Sequence, residues 1–315
     1  MKHWLKSAFF ASLTCAALAG AAHAEIVYHR GNAGEPKTLD QHQTSIDVEA
    51  NVLKDLYEGL VAYNPKGEVV PGAAESWTIS DDGLTYRFKL RGKWSNGDDV
   101  KASDWVYTFR RLMDPKSAAK YATLHYAIKN SEKVNKGELP VDQLGVRAID
   151  DKTFEITLTQ ATPYYLELLT HQTGLPLHQA SVDKLGRDFV KPGNMVSNGA
   201  YKLAEFVPND HIKVVKNANY HSADKVQIDT VMFYPTEDNA AAVRRFMAGE
   251  LDTNYQFPTE QMAFLKEKLG DQVHATPYLS LYYYSVNTTK APFNDVRVRQ
   301  AMSLAVDREY LGEKV

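Results

Sequence analysis

The sequence contains a single cysteine, Cys15, close to its start. Disulfides, thiolate metal sites and cysteine nucleophiles are therefore excluded from everything downstream, and stability must come from the hydrophobic core. Beyond residue 22 no apolar run approaches the roughly 20 residues that cross a bilayer. Neither sign of charge dominates: 36 Lys and Arg face 39 Asp and Glu, a formal net charge of −3, which argues against a nucleic-acid or anionic-membrane partner. The G-x-S-x-G, H-E-x-x-H, P-loop and G-x-G-x-x-G patterns do not occur, so the common hydrolase, zinc-protease and nucleotide signatures are missing. Internal repeats and low-complexity tracts are missing too.

What is present begins with a leader. MKHWLK supplies a basic start, 7–22 is almost wholly apolar, and Ala22-His23-Ala24 is a small-residue cleavage site. This pattern predicts a secretory signal peptide cut after Ala24 and a mature protein in the periplasm. Cys15 does not suit a lipid anchor, because Ser12-Leu13-Thr14 lacks the small residue expected beside a modified Cys. The remaining 291 of the 315 residues exceed the usual single-domain size, and two lobes are expected.

Along the chain, Val48, Val52 and Leu56 fall at helical spacing, with Gly59 read as the helix stop. Asn64-Pro65-Lys66-Gly67 is a turn, and Asp81-Asp82-Gly83 joins two alternating runs into a hairpin. A second turn at Trp94-Ser95-Asn96-Gly97 introduces a helix over 103–113, stopped by Asp114-Pro115. Further strands are expected over 153–158, 200–206, 211–215, 230–234 and 281–286. Helices are expected after Pro163 and over 239–248 and 259–269. The closing stretch predicts one more helix, with Val298, Ala301, Met302, Ala305 and Val306 on a single face. Hairpins mixed with helices indicate an α/β (mixed α+β) fold.

The chemistry-bearing residues are less decisive. None of the eight His after Ala24 has metal-ligand helical spacing; His171 and His178 are the closest pair, with Pro176 between them, and ordinary surface or core roles are expected. Asp81-Asp82 and Asp98-Asp99 sit in turns, where Asp caps the backbone. The 18 Tyr stand out, since their flat rings with a polar tip suit sites for amphipathic ligands. The densest cluster is Tyr278 with Tyr282-Tyr283-Tyr284, which fits either a buried central strand or a cleft-lining one.

Five stretches coincide with one family: GNAGEPKTLD (31–40), DLYEG (55–59), KWSNGDDVKASDWV (93–106), VSNGAYKL (196–203) and APFNDVRVRQAMSLAVD (291–307). The chain resembles the substrate-binding proteins of peptide ABC importers, in particular the periplasmic oligopeptide-binding proteins and their murein-peptide-binding relatives. The resemblance implies a two-lobed periplasmic binding protein fold with hinge crossover strands and an extended peptide between the lobes. It implies no enzymatic activity and no cofactor or metal. The partners it implies are an oligopeptide and the importer's membrane permease subunits, with the protein itself a monomer.

Carried over by position, the peptide-binding residues are Ser45, Asp47, Tyr121, Tyr255, Gln256, Tyr278, Tyr283 and Ser285. Two of them depart from the oligopeptide binder, which has acidic residues where Ser45 and Ser285 stand. By the same resemblance, a signal peptide covers 1–24, 25–57 and 179–279 form lobe I, 58–178 form lobe II, and 280–315 open a third lobe. Family chains continue well beyond this length, so the resemblance implies a C-terminally truncated chain whose second large lobe is incomplete. A murein-peptide receptor is the alternative within the family. From other classes, a secreted carboxylate hydrolase would turn over its ligand, and an exported chaperone-like binder would bind more tightly as exposed apolar length grows.

Overall fold

The computed structural model describes residues 24–276, 281 and 283–314. The signal-peptide reading of 1–24 lies outside these residues apart from Ala24, as do Tyr278 and Tyr282. The chain divides into two compact units, Met1–Thr259 and Glu260–Val315.

The strands of the first unit are β1 (Val27–Gly31), β2 (Val61–Tyr63), β3 (Val69–Pro71), β4 (Ala74–Ile79), β5 (Thr85–Leu90), β6 (Val146–Asp150), β7 (Thr153–Thr157), β8 (Tyr201–Val207), β9 (His211–Lys216), β10 (Thr230–Tyr234) and β11 (Thr253–Asn254). They form a five-stranded sheet in the order β11-β1-β10-β9-β8, a β2-β3 ribbon and a four-stranded sheet in the order β4-β5-β7-β6. In the first sheet β1 runs parallel to both β10 and β11, while β9 is antiparallel to β10 and β8. The four-stranded sheet is wholly antiparallel. Helices of the unit are α1 (Asp47–Leu56), α2 (Ala102–Met113), α3 (Ser131–Asn135), α4 (Tyr165–Leu168), α5 (Gln179–Leu185) and α6 (Asn239–Met247).

Turn chemistry places the hairpins where the sequence puts them. Gly83, with φ +69°, turns β4 into β5, and Asp82 accepts from Leu84 N at 3.0 Å. Gly67, with φ +79°, closes β2-β3 while Asn64 Oδ1 accepts from Lys66 N and Glu68 N. Asp98 behaves differently from the expected backbone cap: its carboxylate accepts from Asn96 Nδ2 and pairs with His178 Nε2 at 3.1 Å. The core is continuous across both sheets. At its centre Phe109 of α2 stacks on Phe154 of β7 at 5.9 Å, and Phe154 stacks on Phe88 of β5 at 6.3 Å. Period-2 and helical apolar faces thus meet in one packed layer.

Three further expectations are corrected. Helix α1 ends at Leu56, with Tyr57 already extended, so Gly59 is not its stop. A Cβ at Gly59 would lie 3.2 Å from Val61 O and 3.3 Å from Leu169 O, so the residue is small because backbone passes close by. Helix α4 begins two residues after Pro163 and lasts only four residues. In the second unit, the described residues of 281–286 form no strand. A strand exists only through hydrogen bonds to a neighbour, and among the described residues none pairs with this segment.

The second unit holds α7 (Met262–Leu269), α8 (Val296–Leu304) and α9 (Arg308–Lys314). Asp295 caps α8 by accepting from Arg297 N at 2.9 Å. The helix carries Val298, Ala301 and Met302 of the expected stripe, with Ala305 and Val306 just past its end; none of the five is buried, and only Val298 and Val306 are half-buried. No helix among the described residues is long and apolar enough to cross a membrane.

Candidate functional site

The loop before α1 is fixed from both sides. The buried Glu49 reaches back from the first turn, its Oε2 accepting from Ser45 N at 2.7 Å and Ile46 N at 3.1 Å. Upstream, Lys120 N donates to His42 O at 3.1 Å and Gln43 Nε2 donates to Ser117 O at 2.6 Å, tying 42–45 to the segment that carries Tyr121. Beneath this loop Arg111 makes a two-pronged ion pair with Asp40, at 3.0 and 2.6 Å. Burial pushes the Asp40 carboxyl up, but the hydrogen bond and charge of Arg111 outweigh it and hold the group below its ordinary value.

On that base Tyr121 Oη donates to Ser45 O at 3.3 Å, and Lys120 Nζ donates to Ser45 Oγ at 3.3 Å. The Tyr121 ring meets His171 edge-on at 5.4 Å, and His171 Nδ1 lies 2.9 Å from Thr173 Oγ1. Burial, with a further push from Lys54, drives the His171 pKa down to about 4 against the opposing pull of Asp47. This imidazole is therefore neutral at physiological pH. From the other side, β11 brings in Tyr255: its N donates to Gly31 O at 3.2 Å, and its hydroxyl donates to Asp47 Oδ2 at 3.2 Å.

Ser45, Asp47, Tyr121 and Tyr255, drawn from three segments far apart in sequence, thus form one connected group. Gln256 follows Tyr255 and is exposed. Tyr283, at 71% exposure, and Ser285 are exposed within the second unit. Tyr278 lies outside the described residues. Lys120 and Glu49 belong to the group and were not singled out from sequence, and His171, expected to have an ordinary surface or core role, joins it through Tyr121. Glu49 had a usable signal, an acidic residue in the first helical turn, whereas His171 meets Tyr121 only through folding. His171 and His178 do not act together, since His178 packs edge-on against Trp94 at 5.2 Å. Among the described residues no cluster of His, Cys, Asp and Glu could hold a metal.

The group offers hydroxyls, the Asp47 carboxylate, the Lys120 ammonium and aromatic faces, while the Glu49 carboxylate is taken up by the Ser45 and Ile46 amides. These are the means of binding a polar, extended ligand.

Comparison with known proteins follows the same line. The family profile for bacterial extracellular solute-binding proteins, family 5 Middle, matches residues 68–315. The periplasmic oligopeptide-binding protein OppA of Escherichia coli K12 is 40% identical over 290 residues, covering 91% of this chain and 53% of that protein. The periplasmic murein peptide-binding protein MppA of the same organism is 38% identical over 284 residues, covering 89% of this chain and 53% of that protein. The crystal structure of Haemophilus influenzae OppA in complex with RPPGFSPFR superposes with a TM-score of 0.89 at 40% identity, covering 93% of this chain and 58% of that one. The α/β fold is that of these binding proteins, and the chain spans about half the length of the curated relatives it matches.

Proposed function

The chain belongs to the family 5 bacterial extracellular solute-binding proteins, and from that premise we propose that it is the substrate-binding component of an ABC importer. In this reading it captures oligopeptides in the periplasm, after export and cleavage behind Ala24, and delivers them to the membrane permease subunits. It acts as a monomer and performs no chemistry. The observation that carries the reading is the convergence of Ser45, Asp47, Tyr121 and Tyr255 through direct hydrogen bonds. Gln256, Tyr278, Tyr283 and Ser285 complete the proposed contact set. Tyrosine faces and hydroxyls grip a peptide main chain with little regard for its side chains. The names of the relatives, oligopeptide-binding and murein peptide-binding, supply the ligand class.

The same reading assigns lobe I to 25–57 and 179–279 and lobe II to 58–178. Support comes from the sheets, since every strand of the five-stranded sheet falls in the former segments and every strand of the four-stranded sheet in the latter. The residues from 280 onward would open the third lobe.

The test is photo-labelling of the purified chain with a tripeptide that carries a photoreactive phenylalanine, mapped by mass spectrometry. Labels are expected in 45–47, 120–121 and 254–256, reduced by excess unlabelled tripeptide. Labelling that ignores the competitor, or falls elsewhere, overturns the reading. Stronger competition by a tripeptide with a γ-linked D-Glu than by ordinary tripeptides would select the murein-peptide alternative.

A further inference from the structure

An open groove of about 300 Å3 lies in the first unit, and none of the proposed peptide-contacting residues lines it. Its walls are mostly apolar, with Val61 and Leu175 buried at 1% and 4% exposure, and Tyr63 and Tyr220 at its edges. Gly59 and Gly199 also line it, and a Cβ at either would run into neighbouring backbone.

Two charged residues line it, and they differ. Glu58 is engaged: Tyr220 Oη donates to its Oε1 at 2.7 Å and His221 Nε2 lies 2.7 Å from its Oε2. Lys54, exposed at the last turn of α1, makes no ion pair or hydrogen bond among the described residues. Tyr57 also lines the groove, and although it is only 2% exposed its hydroxyl makes no hydrogen bond among the described residues.

We propose that this groove binds a small amphipathic carboxylate, with the charged end on Lys54 Nζ and the apolar body against Val61 and Leu175. A single cation balances a single negative charge, and Lys54 is the one cation among the described residues that line the groove. A volume of about 300 Å3 lies at the small end of ligand pockets and has room for a phenyl or short alkyl acid.

The experiment is calorimetric titration of the full chain at neutral pH with 4-phenylbutanoate and with its neutral isostere 4-phenylbutanamide. The carboxylate should bind about ten-fold more tightly than the amide, because a charge-assisted hydrogen bond replaces a neutral one. Lys54→Gln should abolish that difference and Lys54→Arg should keep it. Equal affinity for the two compounds, a difference that survives in Lys54→Gln, or no saturable binding of the acid at millimolar concentration overturns the proposal. The comparison of acid with amide uses the unaltered protein, so it holds whether or not the variants fold. Failure here leaves the peptide reading intact, because photo-labelling at Ser45 and Tyr121 does not involve the groove.

Discussion

Two titratable residues pull the stability of this protein in opposite directions as pH changes. His125 is fully buried, with Nε2 3.0 Å from Thr173 Oγ1 and Nδ1 3.4 Å from Tyr165 Oη, and burial lowers its pKa to about 3. An unfolded His titrates near 6.5, so between those values the unfolded chain binds a proton that the folded chain does not. Stability is therefore expected to fall as pH drops from about 6.5 toward 3. Asp55 shows the reverse: burial raises its carboxyl to about 6, only partly countered by Arg30. Its folded form holds a proton that the unfolded form has lost, so its contribution declines as pH rises through roughly 4 to 6. Urea unfolding of Asp55→Asn and His125→Gln across this range should separate the two. Asp55→Asn should gain on the parent between pH 4 and pH 7, and His125→Gln should flatten the acid-side slope even if it starts less stable. Parallel curves for parent and variants would refute both assignments. At the proposed site, Tyr121→Phe removes one 3.3 Å hydrogen bond to Ser45 O. It should cost less than about 1.5 kcal/mol of stability while reducing photo-labelling at 45–47; a large drop in melting temperature with undiminished labelling would make Tyr121 a core residue.

At the level of elements, the seam between α1 and β8 is set by backbone contact. Gly199 N donates to Leu56 O at 2.9 Å, and a Cβ on Gly199 would sit 2.7 Å from Leu56 C and O and 2.8 Å from Tyr57 N. None of those atoms can yield, because all belong to the backbone at the end of a packed helix. Gly199→Ala should therefore destabilise by about 1–3 kcal/mol, measurable as a lower urea midpoint with an unchanged slope. The 281–286 segment illustrates the opposite situation. Its tyrosines and Val286 favour a strand locally, yet no ladder forms among its described residues, because strand structure is a property of a pair.

Across the whole chain, burial is distributed unevenly between the two units. In the second, α8 contains no buried residue, and Leu265 of α7 is the one buried residue among those described. Local opening free energy follows buried apolar contact. Native-state hydrogen exchange should accordingly show slow amides in β5, β7, β9 and β10, and exchange at least a hundred-fold faster in α8 and α9. Equal protection in the two sets would mean that α8 is covered in solution.

Much of this architecture was legible in the sequence. Turn glycines at 67, 83 and 97 and the period-2 run of β5 depend on neighbours within a few residues, and short-range sterics and hydrogen bonding settle them. The family likewise followed from motifs in the sequence. What required the tertiary structure was every relation between distant segments. These include the seat of His171 against Tyr121, the bond from Tyr255 to Asp47, and the close backbone approach that explains Gly59 and Gly199. Such contacts exist only once chain segments dozens or hundreds of residues apart are packed together, and no local preference of the residues involved encodes their partners.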